Sequence, residues 1–386
     1  MQYHILVKHG MKTKLQSILI LTKTASYFGR SLSLIERSIS AIALSKPRQT
    51  YNLRLTSNDK RSDFENMETS SNTAEVNDNF SASLSFIDIG ANMLDPMFKG
   101  IYRGKEKHPS DFEEIMDRAW SNGLKKIVIT AGTLEESREA LKLARTHPNL
   151  YCTVGVHPTR CNEFGQDPEV HLAKLRELIQ DGLNDSKVIA LGELGLDYAR
   201  TEFCDIETQK KGLLAQLELA KETRLPLFVH NRETGSDLYD ILCDNSHCFS
   251  RAVIHSFDDT IELANKFLSL NNTHPDKDIY IGLNGCSLKT DENLKVVEEL
   301  PLNRLLLETD CPWCDIRPTH AGWRFVQSKF PTKPDKKWEN GHCVKSRTEP
   351  CHMIQVAEIV AGLKGCSVKE VADICYENSI RFYGLQ

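Results

Sequence analysis

The chain has 386 residues, 40% of them hydrophobic, and a formal net charge of −5. That suffices for one large domain or two ordinary ones with a proper core, and no apolar run reaches the length of a membrane span. The 12 cysteines are scattered without a compact framework, which argues against a disulfide scaffold and for a reduced intracellular compartment, cytoplasmic or nuclear.

Residues 1–58 contain one acid, Glu36, among recurrent basic, Ser, Thr and Leu residues. This is the composition of a mitochondrial or plastid transit peptide, or of a disordered basic extension. Residues 59–82 are rich in Ser, Asn, Asp and Glu and read as a disordered linker, with Met67 inside it as an alternative start. Residues 1–80 hold 11 Lys+Arg against 7 Asp+Glu, a net of +4, so residues 81–386 carry about −9. An acidic domain is a poor general grip on nucleic acid, so a phosphate substrate there needs local help from metal ions or a basic loop.

From residue 83 to 386 the pattern is a repeat. Apolar runs rich in β-branched residues occur at about 84–90, 125–131, 150–156, 187–193, 226–230, 251–255, 278–284 and 304–310. Helical spacing separates them. In EESREALKLAR, Leu141 and Leu143 lie near Ala144; in KGLLAQLELAKE, Leu213, Leu217 and Ala220 share one face. Eight alternating units predict a (β/α)8 barrel, whose C-terminal strand ends carry the chemistry.

Four of the runs close on ligand-type residues. KVIALGE ends in Glu193, LPLFVH in His230, RAVIH in His255 and NRLLLETD in Asp310. One strand-end His is an ordinary core residue; four such residues in one structural position point to a hydrolytic metal site. Glu193 can bridge two metals or pair with an Arg at the mouth. Asp310 can bind metal and take a proton from water, or cap the following turn. His157, in VGVHPTR at the third strand end, is a fifth candidate, as a phosphate donor or a loop residue. Arg232 and Arg347 are candidate phosphate forks, with surface solvation as the alternative.

The segment Asp315–Arg347 holds eight basic residues against three acids, interleaved with Trp323, Phe325, Phe330 and Trp338. It follows the last strand, so it is expected over the mouth, gripping a phosphate backbone and stacking bases; otherwise it is a solvated loop whose aromatics pack beneath it. Cys311, Cys314, His342, Cys343, Cys351 and His352 raise a structural zinc, although their spacing fits no standard pattern.

The motifs FIDIGANMLDPMFKGIYRG (86–104), TVGVHPTRC (153–161), GELGLDY (192–198), LPLFVHNRE (225–233), VIHSFDDT (253–260), YIGLNGCSLKT (280–290), LLLETDCPWC (305–314) and RTEPCH (347–352) span the barrel in order. Together they resemble the TatD deoxyribonucleases, metal-dependent hydrolases on a TIM barrel, and in particular the eukaryotic TatD domain-containing proteins. The resemblance implies that Glu193, His230, His255 and Asp310 are metal ligands, that His157 lies at the substrate phosphate, and that Arg347 and Glu349 brace the mouth. It also implies a nuclease acting on DNA, trimming single strands from the 3′ end, in repair or degradation; a monomer is expected. Mg2+ suits the phosphate and carboxylates, and the imidazoles accommodate Mn2+ or Zn2+.

One position departs from the pattern. Many relatives carry a His-X-His pair at the first strand end; here it reads Asp88-Ile-Gly90-Ala-Asn92. One ion held firmly by Glu193, His230 and His255 is therefore expected, with a second recruited weakly with the phosphate through Glu193, Asp310 and Asn92. Two rivals remain: a small-molecule amide, lactone or phosphotriester hydrolase, which would often carry a lysine where Glu193 stands, and a silent DNA-binding or scaffold protein.

Overall fold

Residues 84–386 are described by the computed structural model. The targeting segment and linker expected over 1–58 and 59–82, with Met67, lie outside the described residues. The β-branched runs form strands β1 Phe86–Ala91, β2 Leu124–Ile129, β3 Leu150–Val154, β4 Val188–Asp197, β5 Leu227–Arg232, β6 Arg251–Ile254, β7 Asp278–Leu283 and β8 Leu305–Leu307. They pair in sequence order, every ladder parallel, as a TIM barrel requires. The helices are α1 Phe112–Ser121, α2 Leu134–Ala144, α3 Pro168–Asn184, α4 Ile206–Thr223, α5 Asp237–Asp244, α6 Ile261–Thr273, α7 Asp291–Glu299, α8 Met353–Lys364 and α9 Val368–Tyr383.

Helix starts follow local chemistry. Thr133, Thr260 and Ser367 each accept a backbone N–H of the first turn of α2, α6 and α9. The predicted apolar face of α4 is the face that packs: Leu213, Leu217 and Ala220 are fully buried, each leucine contributing roughly 1.5–3 kcal/mol by leaving water. Inside the barrel, Ile87, Ile89, Val128, Phe228, Val253, Tyr280 and Leu306 form a second core. Phe382 and Tyr383, at the end of α9, plug it from below; Arg251, first residue of β6, donates to the Phe382 carbonyl.

Two departures from the expected boundaries shape the site. β8 stops at Leu307, and the seam to β1 is closed by a side chain. Asp88 accepts from Thr309 N–H at 2.9 Å and Thr309 O–H at 2.5 Å, after which Asp310 N–H donates to Gly90 O at 2.8 Å. β4 runs four residues beyond its expected end. Its register to β5 shifts between Leu191 and Leu194, so Glu193 sits in a bulge. The bulge needs glycine on both sides. Gly192 and Gly195 have φ of +148° and +143°, and a Cβ would lie 2.4 Å from Phe228 O or 2.0 Å from His230 O.

The segment Asp315–Arg347 does not contribute side chains to the mouth, contrary to expectation. Its aromatics are drawn onto apolar surface instead: Trp323, Phe325 and Phe330 pack on the helix-side core, Phe325 against Gly362 of α8. Trp338 stacks on His108 with ring centres 5.4 Å apart and donates to Asp111.

Candidate metal centre and active site

A cavity of about 840 Å³ opens at the C-terminal strand ends, and Glu193, His230, His255, Asp310, His157 and Arg232 all line it. Glu193 projects from the β4 bulge, His230 from β5, and His255 directly follows β6. Their ligand atoms converge. Glu193 Oε1 lies 2.6 Å from His230 Nδ1 and 2.8 Å from His255 Nε2, and the two nitrogens are 3.3 Å apart. Ligands of a tetrahedral ion at 2.0–2.1 Å are separated by about 3.4 Å. Two imidazole nitrogens and a carboxylate oxygen at this spacing fit one divalent ion after a slight opening, and the three atoms lie within 4.8 Å of one another.

The electrostatics point the same way. Four carboxylates, Glu193, Asp197, Glu308 and Asp310, surround the imidazoles. Burial opposes charge on His255, yet Glu193 and Glu308 hold its pKa well above the usual imidazole value. Burial likewise opposes charge on His230, and Asp197 and Glu193 raise it. Burial disfavours the Glu193 carboxylate, but His255 and His157 keep it well below the usual range. A centre that pulls protons onto its imidazoles is one whose field favours cations.

Asp310 stands three residues beyond β8, with φ of +52°. Asn92 Nδ2 donates to its Oδ1 at 2.8 Å, and Cys314 S–H to its Oδ2 at 3.1 Å. Burial pushes its carboxyl up to about 6, with His255 opposing and Glu308 and Glu193 adding. Asn92 thus orients Asp310 in this structure, where the sequence suggested it as a ligand. His157 Nδ1 accepts the Thr159 N–H at 3.2 Å, which places the ring proton on Nε2, 3.4 Å from Glu193 Oε1.

Arg347 is corrected by its surroundings. It is 2% exposed, and its guanidinium is forked onto Asp111, with Glu349 Oε1 at 2.8 Å and Met97 O at 3.1 Å. Both terminal nitrogens are occupied by these groups, Nε is buried without a partner, and the side chain does not line the cavity, so it cannot serve as a phosphate fork. Of the six residues considered for zinc, only Cys343, Cys351 and His352 come together. His352 Nδ1 there accepts the Glu349 N–H at 2.9 Å, Cys311 lies against Met93, and Cys314 lies beside Cys286.

Several residues at the mouth escaped the sequence reading. Asp197 Oδ2 is 3.3 Å from His230 Nε2, the nitrogen turned away from Glu193, and so orients that ring. A second metal-sized group, His157, Asp197 and His230, shares this imidazole. Glu308 lies behind His255, 3.6 Å from Nδ1. Arg160 and Arg200 join Arg232 on the cavity wall, and Trp313, 53% exposed, stands among them. Some signals were present: Arg160 stands three residues after His157, and Asp197 closes GELGLD.

Comparison with known proteins gives concordant relatives. The family described as "TatD related DNase" matches residues 88–384. The "Deoxyribonuclease Tat-D" of Schizosaccharomyces pombe is 42% identical over 313 residues, covering 80% of this chain and 98% of that protein. The "3'-5' ssDNA/RNA exonuclease TatD" of Erwinia tasmaniensis is 31% identical over 306 residues, 77% of this chain and 99% of that one. A crystal structure of a TatD family hydrolase from Entamoeba histolytica superposes with a TM-score of 0.71 at 37% identity, covering 78% of this chain and 98% of that chain.

Proposed function

This chain belongs to the TatD-related DNase family, a hydrolase acting on ester bonds through divalent metal, and from that premise we propose that it trims single-stranded DNA from the 3′ end. One observation carries the reading: Glu193, His230, His255 and Asp310 converge in a cavity walled by Arg160, Arg200, Arg232 and an exposed Trp313. A ligand set built for a cation, beside three guanidiniums and an aromatic plate, suits a phosphodiester with a splayed base. A small neutral amide or lactone has no use for that wall. The names of the bacterial relatives support single strands and 3′ polarity.

Glu193, His230 and His255 would hold the principal ion, Mg2+ being the proposed physiological metal, with Mn2+ or Zn2+ accommodated by the imidazoles. Such an ion lowers the pKa of a water and neutralises phosphate charge. Asp310, its two oxygens fixed by Asn92 and Cys314, takes the proton from the attacking water. His157 offers Nε2–H to a non-bridging oxygen. Arg232, exposed at the end of β5, positions the next phosphate. Glu193 and Asp310, the latter oriented by Asn92, would complete a weaker second ion site with the substrate. Roles in DNA repair or degradation, and action in the cytoplasm or nucleus as a monomer, belong to this same proposal.

The test is metal-dependent digestion of 3′-labelled and 5′-labelled single strands, with small esters and hydantoins in parallel. Glu193→Gln, which keeps the shape and removes the charge, should abolish cleavage without changing the melting temperature. Cleavage at the wild-type rate by this variant would sink the assignment.

A further inference from the structure

Two cysteines stand side by side on the cavity wall, Cys314, which donates to Asp310, and Cys286, which has no part in the chemistry above. Cys286, after β7, and Cys314, after β8, both line the cavity and are half-buried. Their sulfurs are 2.9 Å apart. The loops that carry them touch backbone to backbone: a Cβ on Gly285 would lie 1.9 Å from the Cys314 carbonyl oxygen. The Cys286 loop is anchored, its N–H donating to Asn284 Oδ1 at 2.8 Å while Asn284 Nδ2 donates to Glu308 at 3.2 Å. A disulfide needs sulfurs at about 2.05 Å. Closing the remaining gap of under 1 Å takes side-chain rotation, because the two backbones already meet.

We propose that Cys286 and Cys314 form a modification site oxidised by hydroperoxides to a disulfide, and that the disulfide switches the active site off. The Cys286 sulfur attacks the O–O bond of hydrogen peroxide. Hydroxide departs, takes up the thiol proton as water, and leaves a sulfenic acid. The Cys314 sulfur then attacks that sulfur and expels a second water. Two thiols and one peroxide become one disulfide and two waters: both sulfurs are oxidised and both peroxide oxygens reduced. The consequence for the site is direct. The S–H that Cys314 donates to Asp310 Oδ2 at 3.1 Å is gone, which leaves Asn92 as the side-chain donor on that carboxylate. The bridged sulfurs line the open cavity, so a thiol reductant can attack the disulfide and reverse the change.

The modification is independent of the substrate, whereas its effect on activity rests on the nuclease reading. Reduced full-length protein is therefore treated with hydrogen peroxide, alkylated and digested. The expected product is a cross-linked peptide pair joining Cys286 to Cys314, two mass units lighter than the dithiol. Activity on single-stranded DNA should fall about 10- to 100-fold, as when an outer partner of a metal-site group is lost, and return with dithiothreitol. Cys286→Ser should keep its reduced activity and resist peroxide. Absence of the cross-linked pair overturns the proposal, as does its formation with no loss in an enzyme active when reduced, or equal inactivation of Cys286→Ser. A reduced wild-type protein inactive on every nucleic acid would overturn the nuclease reading alone, since the cross-link is read by mass.

Discussion

Arg347→Ala separates a structural role from a substrate role for the one candidate phosphate fork that is buried. Arg347 and Asp111 side chains are each 1% exposed and Glu349 is fully covered. Removing the guanidinium strips Asp111 of both its fork bonds and leaves Glu349 with Arg118 Nε, at 2.9 Å, as its remaining cationic partner. Breaking a buried pair in this way costs about 3–5 kcal/mol, because an uncompensated charge stays behind. At roughly 2 °C per kcal/mol for a large domain, the melting temperature should fall by about 6–10 °C. Arg347→Lys keeps the charge but not the planar fork and should fall less. KM for single-stranded DNA, measured well below the transition, should stay within twofold of wild type. A variant that melts within 1 °C of wild type and raises KM tenfold would show that the guanidinium reaches substrate, and the reasoning would be wrong.

Three further outcomes are expected. Burial lifts the Asp88 carboxyl from 3.8 to about 7 against the Thr309 and Gly90 donors. A raised carboxyl pKa means stability that is full below 3.8 and lost as pH rises to about 7, a span worth ~4 kcal/mol at most. Asp88→Asn, whose oxygen can accept the two N–H groups and whose amide can donate to Thr309 Oγ1, should flatten that slope in urea unfolding. An unchanged slope assigns it to other groups. Asp197→Asn should weaken Mn2+ binding about 10- to 100-fold by calorimetry with the fold intact; unaltered affinity would deny Asp197 its hold on His230. Trp313→Ala should cost about 1–3 kcal/mol of single-strand binding, a 5- to 150-fold rise in KM, and leave cleavage of a small chromogenic phosphodiester unchanged. An equal loss on both substrates would make the ring a structural support.

Much of the architecture was legible because periodicity is a local property. The runs around Val128, Val253 and Leu306 are continuously apolar, as parallel strands buried on both faces are, and the α4 face of Leu213, Leu217 and Ala220 follows helical spacing. Ligand chemistry at the ends of those runs was legible for the same reason: strand ends in a parallel barrel share one rim. What spacing could not convey was where each rim residue turns. The loop Asp315–Arg347 looked like a nucleic-acid grip by composition, yet burial of its aromatic rings against the helix layer decided its course. Arg347 looked like a fork for phosphate, and a fork it is, but for Asp111, 236 residues away in sequence.

The sequence by itself determined the (β/α)8 barrel, the four ligand-type residues on its rim and the absence of an imidazole pair on the first strand. These follow from residue type and period, which act over a few neighbours. Only the tertiary structure decided that Glu193 is thrust inward by a glycine-flanked bulge, that Asp197 holds the far side of His230, and that Cys286 meets Cys314 beside Asp310. Each of these depends on two strands or loops approaching within about one atomic diameter. Such an approach is set by packing across the barrel, and no local pattern encodes it.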